Sequence, residues 1–135
     1  MSTAAAIVTG VDFMCVPTTD LTRAMDFYEN VLGLPRSSVW QREGQEALGA
    51  EFETGNLTIA LVAAEKIGIA FQPNTVPVAL HVDDVEGARA ELQSRGVTFI
   101  ADTIDSGVCH MANFRDPDGN SLMIHNRYAP KDGDA

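Results

Sequence analysis

Asp20 and Asp84, Leu21 and Val85, Ala24 and Ala88, Tyr28 and Leu92, Gly55 and Gly119, and Asn56 and Asn120 are all separated by the same 64 positions. The offset holds across a helix start, the apolar stripe of that helix and a hairpin turn. An insertion-free match over three kinds of element is the mark of an internal structural repeat. A chain of 135 residues therefore reads as one domain made of two similar halves rather than two independent domains.

Each half reads strand, helix, strand, strand, strand. In the first, VDFMCV at 11–16 is rich in β-formers, PTT is turn-prone, and Asp20 is a helix N-cap. Leu21, Ala24, Met25, Tyr28, Val31 and Leu32 then recur at helical spacing until Gly33 and Pro35 stop the helix. SVWQ at 38–41, ALGAEFE at 47–53 and LTIALVA at 57–63 read as strands, the last two joined by a turn at Thr54, Gly55 and Asn56. AEKIGIAFQPNT is a connector with room for one helical turn.

In the second half, VPVALHV at 76–82 leads to Asp84 and to a helix that buries Val85, Ala88 and Leu92 and ends at Gly96. VTFIAD, GVCHMANF and SLMIHN supply three strands, the last two joined by DPDGN. The tail over 129–135 is polar and expected to fray.

A half of about 60 residues has a helix for only one face of its sheet, so the other face needs a partner or stays wet. Two such sheets side by side can curve around a shared cleft, the expected place for a ligand. The fold class expected is thus α+β, two tandem βαβββ modules forming a curved mixed sheet around a cleft, with module one over about 7–64 and module two over about 76–128.

Acidic residues outnumber Lys and Arg by 19 to 9, a net charge of −10 that repels phosphate backbones and anionic membrane surfaces. Nucleic acid and membrane are therefore not expected partners. No apolar run approaches a membrane span, and MSTAAAIVTG lacks the basic start and long apolar core of a secretory signal, so the location expected is cytoplasmic. Cys15 and Cys109 form no CxxC spacing and no disulfide framework; each reads as a buried small hydrophobe.

The stretches VPTTDLTRAMDFYENVLGLP and RDPDGNSLMIH, in this order and with the repeat, closely resemble the vicinal oxygen chelate superfamily of glyoxalases, bleomycin-resistance proteins and extradiol dioxygenases. The resemblance covers roughly residues 7–128. In metal-dependent members it implies four ligand positions, typically His or Gln and Glu, on the first and fourth strands of each half. Carried over by spacing from the capping aspartates and the turn glycine, they fall on Phe13, Ala60, Pro77 and Met123. A register slip of one residue would bring in Asp12 or Ile59, and a single carboxylate still builds no chelate. Carbon and thioether groups do not replace the imidazole, thiolate or carboxylate donors a divalent ion needs. No metal and no cofactor are therefore expected.

Alternation along the strands places Cys15 with Phe13, Val62 with Ala60, Ala79 and His81 with Pro77, and Ser121 and His125 with Met123. The expected ligand cleft comprises Phe13, Cys15, Trp40, Ala60, Val62, Pro77, His81, His110, Met123 and His125. The three histidines are also candidate acid–base groups or ligands of a displaced metal, against the plainer reading of hydrogen-bonded polar residues. No HxH or HExxH spacing supports ligation. Cys109 and His110 are strand neighbours pointing to opposite faces, which argues against a nucleophile pair. Trp40 would either pack or stack on a planar ligand. Arg115 would cap a cleft edge or pair with carboxylates.

Two functions follow as expectations. The first is a metal-independent small-molecule-binding protein, possible roles being antibiotic or metabolite sequestration, with homodimerisation and exchange of modules between chains implied by the resemblance. The alternative is a glyoxalase-like lyase or isomerase, or a dioxygenase-like enzyme, that uses His81, His110 or His125.

Overall fold

The computed structural model describes residues 5–130. The start of MSTAAAIVTG and the tail from residue 131 on lie outside the described residues. Module one runs β1 (Met14–Thr18), α1 (Leu21–Asp26), β2 (Arg36–Trp40), β3 (Gly49–Glu53) and β4 (Thr58–Ala63). Module two repeats it as β5 (Val78–His81), α2 (Val85–Ser94), β6 (Ile104–Asp105), β7 (Cys109–Arg115) and β8 (Ser121–Arg127). The sheet orders are β1-β4-β3-β2 and β5-β8-β7-β6, with the first pair of each parallel and the others antiparallel. The repeat read from the 64-residue offset is thus present in topology.

Asp20 starts α1 by accepting the backbone N–H of Arg23 on its carboxylate at 3.1 Å. The helix widens into a π-turn over Phe27–Val31, and Gly33, at φ 77°, supplies the left-handed residue that ends it. Asp84 occupies the matching place before α2 but makes no side-chain cap bond.

Alternation decides what is buried. Val16, Ala50, Phe52 and Leu61 pack with Leu21, Ala24 and Tyr28, while Ala112, Phe114, Leu122 and Ile124 pack with Val85 and Leu92, all in one cluster. Each fully buried large side chain of this kind contributes roughly 1.5–3 kcal/mol. The helix-covered faces of both sheets thus turn onto a common core, and the opposite faces turn away from it.

A polar clamp fastens the modules on one flank. Asp118, in the turn before β8, accepts the hydroxyl of Thr18 at 2.5 Å, the backbone N–H and hydroxyl of Thr19 at 2.9 and 2.6 Å, and Arg23 at 3.1 Å. Its side chain is 1% exposed. Burial alone would raise its pKa, but the bonds from Thr18, Thr19 and Arg23 outweigh that and hold it below the ordinary carboxylate range. Asn120 donates to the carbonyl of Pro17 at 2.8 Å and accepts the N–H of Asn74 at 2.8 Å. Tyr28 donates to Asp116, which also receives both nitrogens of Asn120.

Shifted by 64 positions, the clamp residues Thr18, Thr19, Arg23 and Asp118 become Val82, Asp83, Gly87 and Thr54. The buried pair Tyr28 and Asp116 becomes Leu92 and Phe52. The second flank lacks the donors and the carboxylate that close the first.

Three expectations are corrected. PTT is not a turn, since Pro17 and Thr18 complete β1. VTFIAD is not a strand: Phe99 makes one bridge to Phe114, held by Arg89 4.8 Å from its ring centroid, and pairing resumes only at Ile104. Cys15 is exposed rather than buried, because alternation along β1 turns it away from the core that Val16 enters, whereas Cys109 is buried.

Candidate functional site

The faces turned away from the core carry most of the expected site residues, on two separate sheets. On sheet one, Cys15 and Glu51 flank Ala60 in register, and Val62 lies opposite Gly49, which lies opposite Trp40. Phe13, just before β1, meets Trp40 edge-on with ring centroids 5.7 Å apart. Trp40 lies against Gly49, where an added Cβ would stand 2.7 Å from the indole and 2.5 Å from the carbonyl oxygen of Leu61. Its indole N–H donates to the Glu51 carboxylate at 2.5 Å, which fixes the ring over the strand.

Two positions along β3, Glu53 accepts the hydroxyls of Ser37 at 2.5 Å and Thr58 at 2.6 Å. These bonds, Ser37 first, hold its carboxyl below the usual range despite exposure to water. The face is therefore a half-exposed aromatic pair beside two carboxylates, over a floor that includes the fully buried Ala60.

On sheet two, Ala79 pairs with Met123 and His81 with His125, while β7 sets Asn113 beside Met123 and Met111 beside His125. The last-strand Met123 thus shares its face with the Asn113 amide and a second thioether, Met111. His81 is 69% exposed and lies 3.2 Å from Asp83. His110 pairs with Asn126 and shares the face of Ala112 and Phe114, so it points away from His125. It stacks on Tyr128 at 4.8 Å and lies 3.4 Å from Asp105. Asp105 is held below its ordinary range by the Tyr128 hydroxyl first, then by the N–H of Gly107 and by His110.

The structure thus brings Phe13, Cys15, Trp40, Ala60 and Val62 onto one face and His81, Met123 and His125 onto another, and it separates His110 from both. Among the described residues, no ladder joins the sheets. A cavity of about 920 Å³ between the modules takes Cys15, Pro77 and His81 from the expected set. Glu51, Glu53, Met111 and Asn113 were not singled out from sequence. The period-2 alternation of GAEFE and CHMANFR carries the signal that finds them.

The fold resemblance implies a metal, and its four positions hold Phe13, Ala60, Pro77 and Met123, a set with no hard or borderline donor. The residues do not fit the group. Among the described residues, no three or more His, Cys, Asp or Glu side chains are grouped to hold an ion.

The sequence model of the glyoxalase, bleomycin resistance protein and dioxygenase superfamily matches residues 10–124. The chain belongs to this superfamily. Among solved structures, it is similar to TnmS3, an antibiotic binding protein from Streptomyces sp. CB03234, at 23% identity and TM-score 0.75, covering 91% of this chain and 99% of that one. It is also similar to a glyoxalase/bleomycin resistance protein/dioxygenase from Nocardioides (23%, TM-score 0.74, 97% and 92% covered). Lactoylglutathione lyase from Agrobacterium tumefaciens matches at 18%, TM-score 0.71, with 87% and 93% covered. These likenesses establish the superfamily fold. No match is found among curated proteins. No helix among the described residues is long and apolar enough to cross a membrane.

Proposed function

We propose that this superfamily member binds a small organic molecule without a metal, as a sequestering protein for an antibiotic or metabolite. The observation that carries the reading is the donor-free set Phe13, Ala60, Pro77 and Met123 on the faces where metal-dependent relatives would chelate. The surroundings suit adsorption of an organic surface: the Phe13 and Trp40 rings on one sheet, and Met111 and Met123 on the other. The similarity to an antibiotic binding protein lends support. In this reading the protein works in the cytoplasm, where the free thiols of Cys15 and Cys109 stay reduced, and as a homodimer.

The test is a thermal-shift screen of planar and cationic organic compounds, with Trp40 emission as a second readout. A compound that raises the melting temperature and quenches Trp40 supports the reading; a broad library with no such compound overturns it.

A second reading, a lyase or isomerase, is favoured by one observation: His81 and His125 are register partners on one face. Metal analysis of protein purified without chelators separates the two. Stoichiometric zinc, nickel, iron or manganese that is lost in His125→Ala would favour the enzyme.

A further inference from the structure

The two modules differ most in the chain that follows each helix. The 64-residue offset sets Val97, Thr98, Phe99 and Ile100 against Gly33, Leu34, Pro35 and Arg36, the approach to the five-residue β2. In module two that approach stays off the sheet: Phe99 makes a single bridge to Phe114, and β6 is two residues long. A cavity of about 730 Å³ lies against this segment, bounded also by Phe27 and Val31 of the π-turn in module one and by Arg115, Asp116 and Pro117 after β7. It shares no residue with the sheet faces that carry Trp40 and Met123.

The cavity joins apolar surface to arginine. Its hydrocarbon comes from Phe27, Val31, Val97, Phe99 and Ile100, and Ile100 is left 52% exposed. Two of the nine Lys and Arg residues of this acidic chain, Arg95 and Arg115, line it as well. Arg95 is already committed, because Nη1 donates to the Val31 carbonyl at 2.9 Å while Nε and Nη2 donate to Glu91 at 3.2 and 3.0 Å. Arg115 is not. The carboxylate pairing expected for it is not formed: among the described residues its side chain has no ion pair and no hydrogen bond, whereas Arg23, Arg36, Lys66 and Arg95 each hold a carboxylate. The neighbouring Asp116 instead accepts the Tyr28 hydroxyl, the N–H groups of Asp118 and Asn120 and the Asn120 amide, all at 2.8 to 2.9 Å.

A guanidinium presents its N–H donors as a planar fork that fits a carboxylate with two parallel bonds. The net charge of −10 repels anions at long range, but salt screens that field beyond about 8 Å, so the groups on the wall decide. Those groups are two arginines and one carboxylate already surrounded by donors. We propose that this cavity binds a small organic anion, a carboxylate carried on an aromatic or branched apolar group. Arg115 holds the carboxylate, and Phe27, Val97 and Ile100 cover the apolar part. The site spans the two modules, and it stands or falls independently of the ligand proposed for the sheet faces.

The experiment is an amide NMR titration of the full chain with phenylacetate, with phenylacetamide as the neutral control and acetate as the control without a ring. Saturable shifts confined to Phe27–Val31, 97–100 and 115–116 are expected, with a dissociation constant on the order of 1 mM for a probe of this size. Each control should bind about tenfold more weakly, and Arg115→Gln should lose about the same factor, the worth of one charge-assisted hydrogen bond. Arg115→Lys should recover part of that loss. Ile100→Asp, at a position already exposed, is a second variant that spares the core and should also weaken binding. Phenylacetamide binding as tightly as phenylacetate, an unchanged affinity in either Arg115→Gln or Ile100→Asp, or shifts that never saturate would each overturn the proposal. Shifts centred on the Trp40 indole N–H would do the same, since they would assign the probe to the sheet-one face.

Discussion

The hydroxyl of Tyr28 donates to the carboxylate of Asp116 at 2.8 Å, joining a helix of one module to the turn of the other across 88 positions of chain. Burial first, and then the Asp116 charge, push the Tyr28 phenol far above its ordinary range. Tyr28→Phe should lower unfolding free energy by about 2 kcal/mol, the usual worth of a hydrogen bond to a charged group. Urea denaturation checks this.

The same shift fixes a pH dependence. A folded-state value raised above the unfolded one gives stability that is complete below the unfolded value, about 10, and is lost as pH rises beyond it. The chain should therefore weaken above about pH 10, and Tyr28→Phe should remove that share of the loss.

Asp118 predicts the opposite slope. Its value is depressed, so its contribution is present above the unfolded value of about 3.9 and is lost as pH falls through the lower folded one. Asp118→Ala should cost on the order of 3 kcal/mol at neutral pH, since Thr18, Thr19 and Arg23 lose their shared acceptor. Asp118→Asn should flatten the acid limb of the stability curve.

Gly49→Ala should displace Trp40, because the new methyl meets both the indole and a backbone carbonyl that cannot yield. Overpacking of this kind costs roughly 1–3 kcal/mol. A shift in emission of the sole tryptophan, with a lower melting temperature, reports it.

Chelation by EDTA should leave the melting temperature within about 1 °C of the untreated protein, as expected where no bound ion stabilises the fold. Trp40→Ala should weaken any compound found by screening by about tenfold, near the worth of one aromatic contact.

The repeat and α1 were legible because caps, apolar stripes and turn residues are local signals, all repeated at one offset. β6 was not: VTFIAD has the right composition, but Phe99 is held by Arg89 and Phe114, and Ile100 is left exposed outside the sheet. His110 shows a different limit, since membership of the correct strand does not give a face until register is known. The clamp was hidden in plain residues. Tyr28 sat on an apolar stripe, and a buried phenol needs a partner that spacing alone could not name.

Because the Asp118 and Asn120 ties fasten one flank of the module pair, while a mostly apolar cavity with a single Arg95 to Val31 carbonyl bond beside it lies along the other, the halves should part like a book, its spine running through Thr19 and Asp118. Amide exchange should then slow along that spine and quicken along β5, the margin that borders the cavity between the modules.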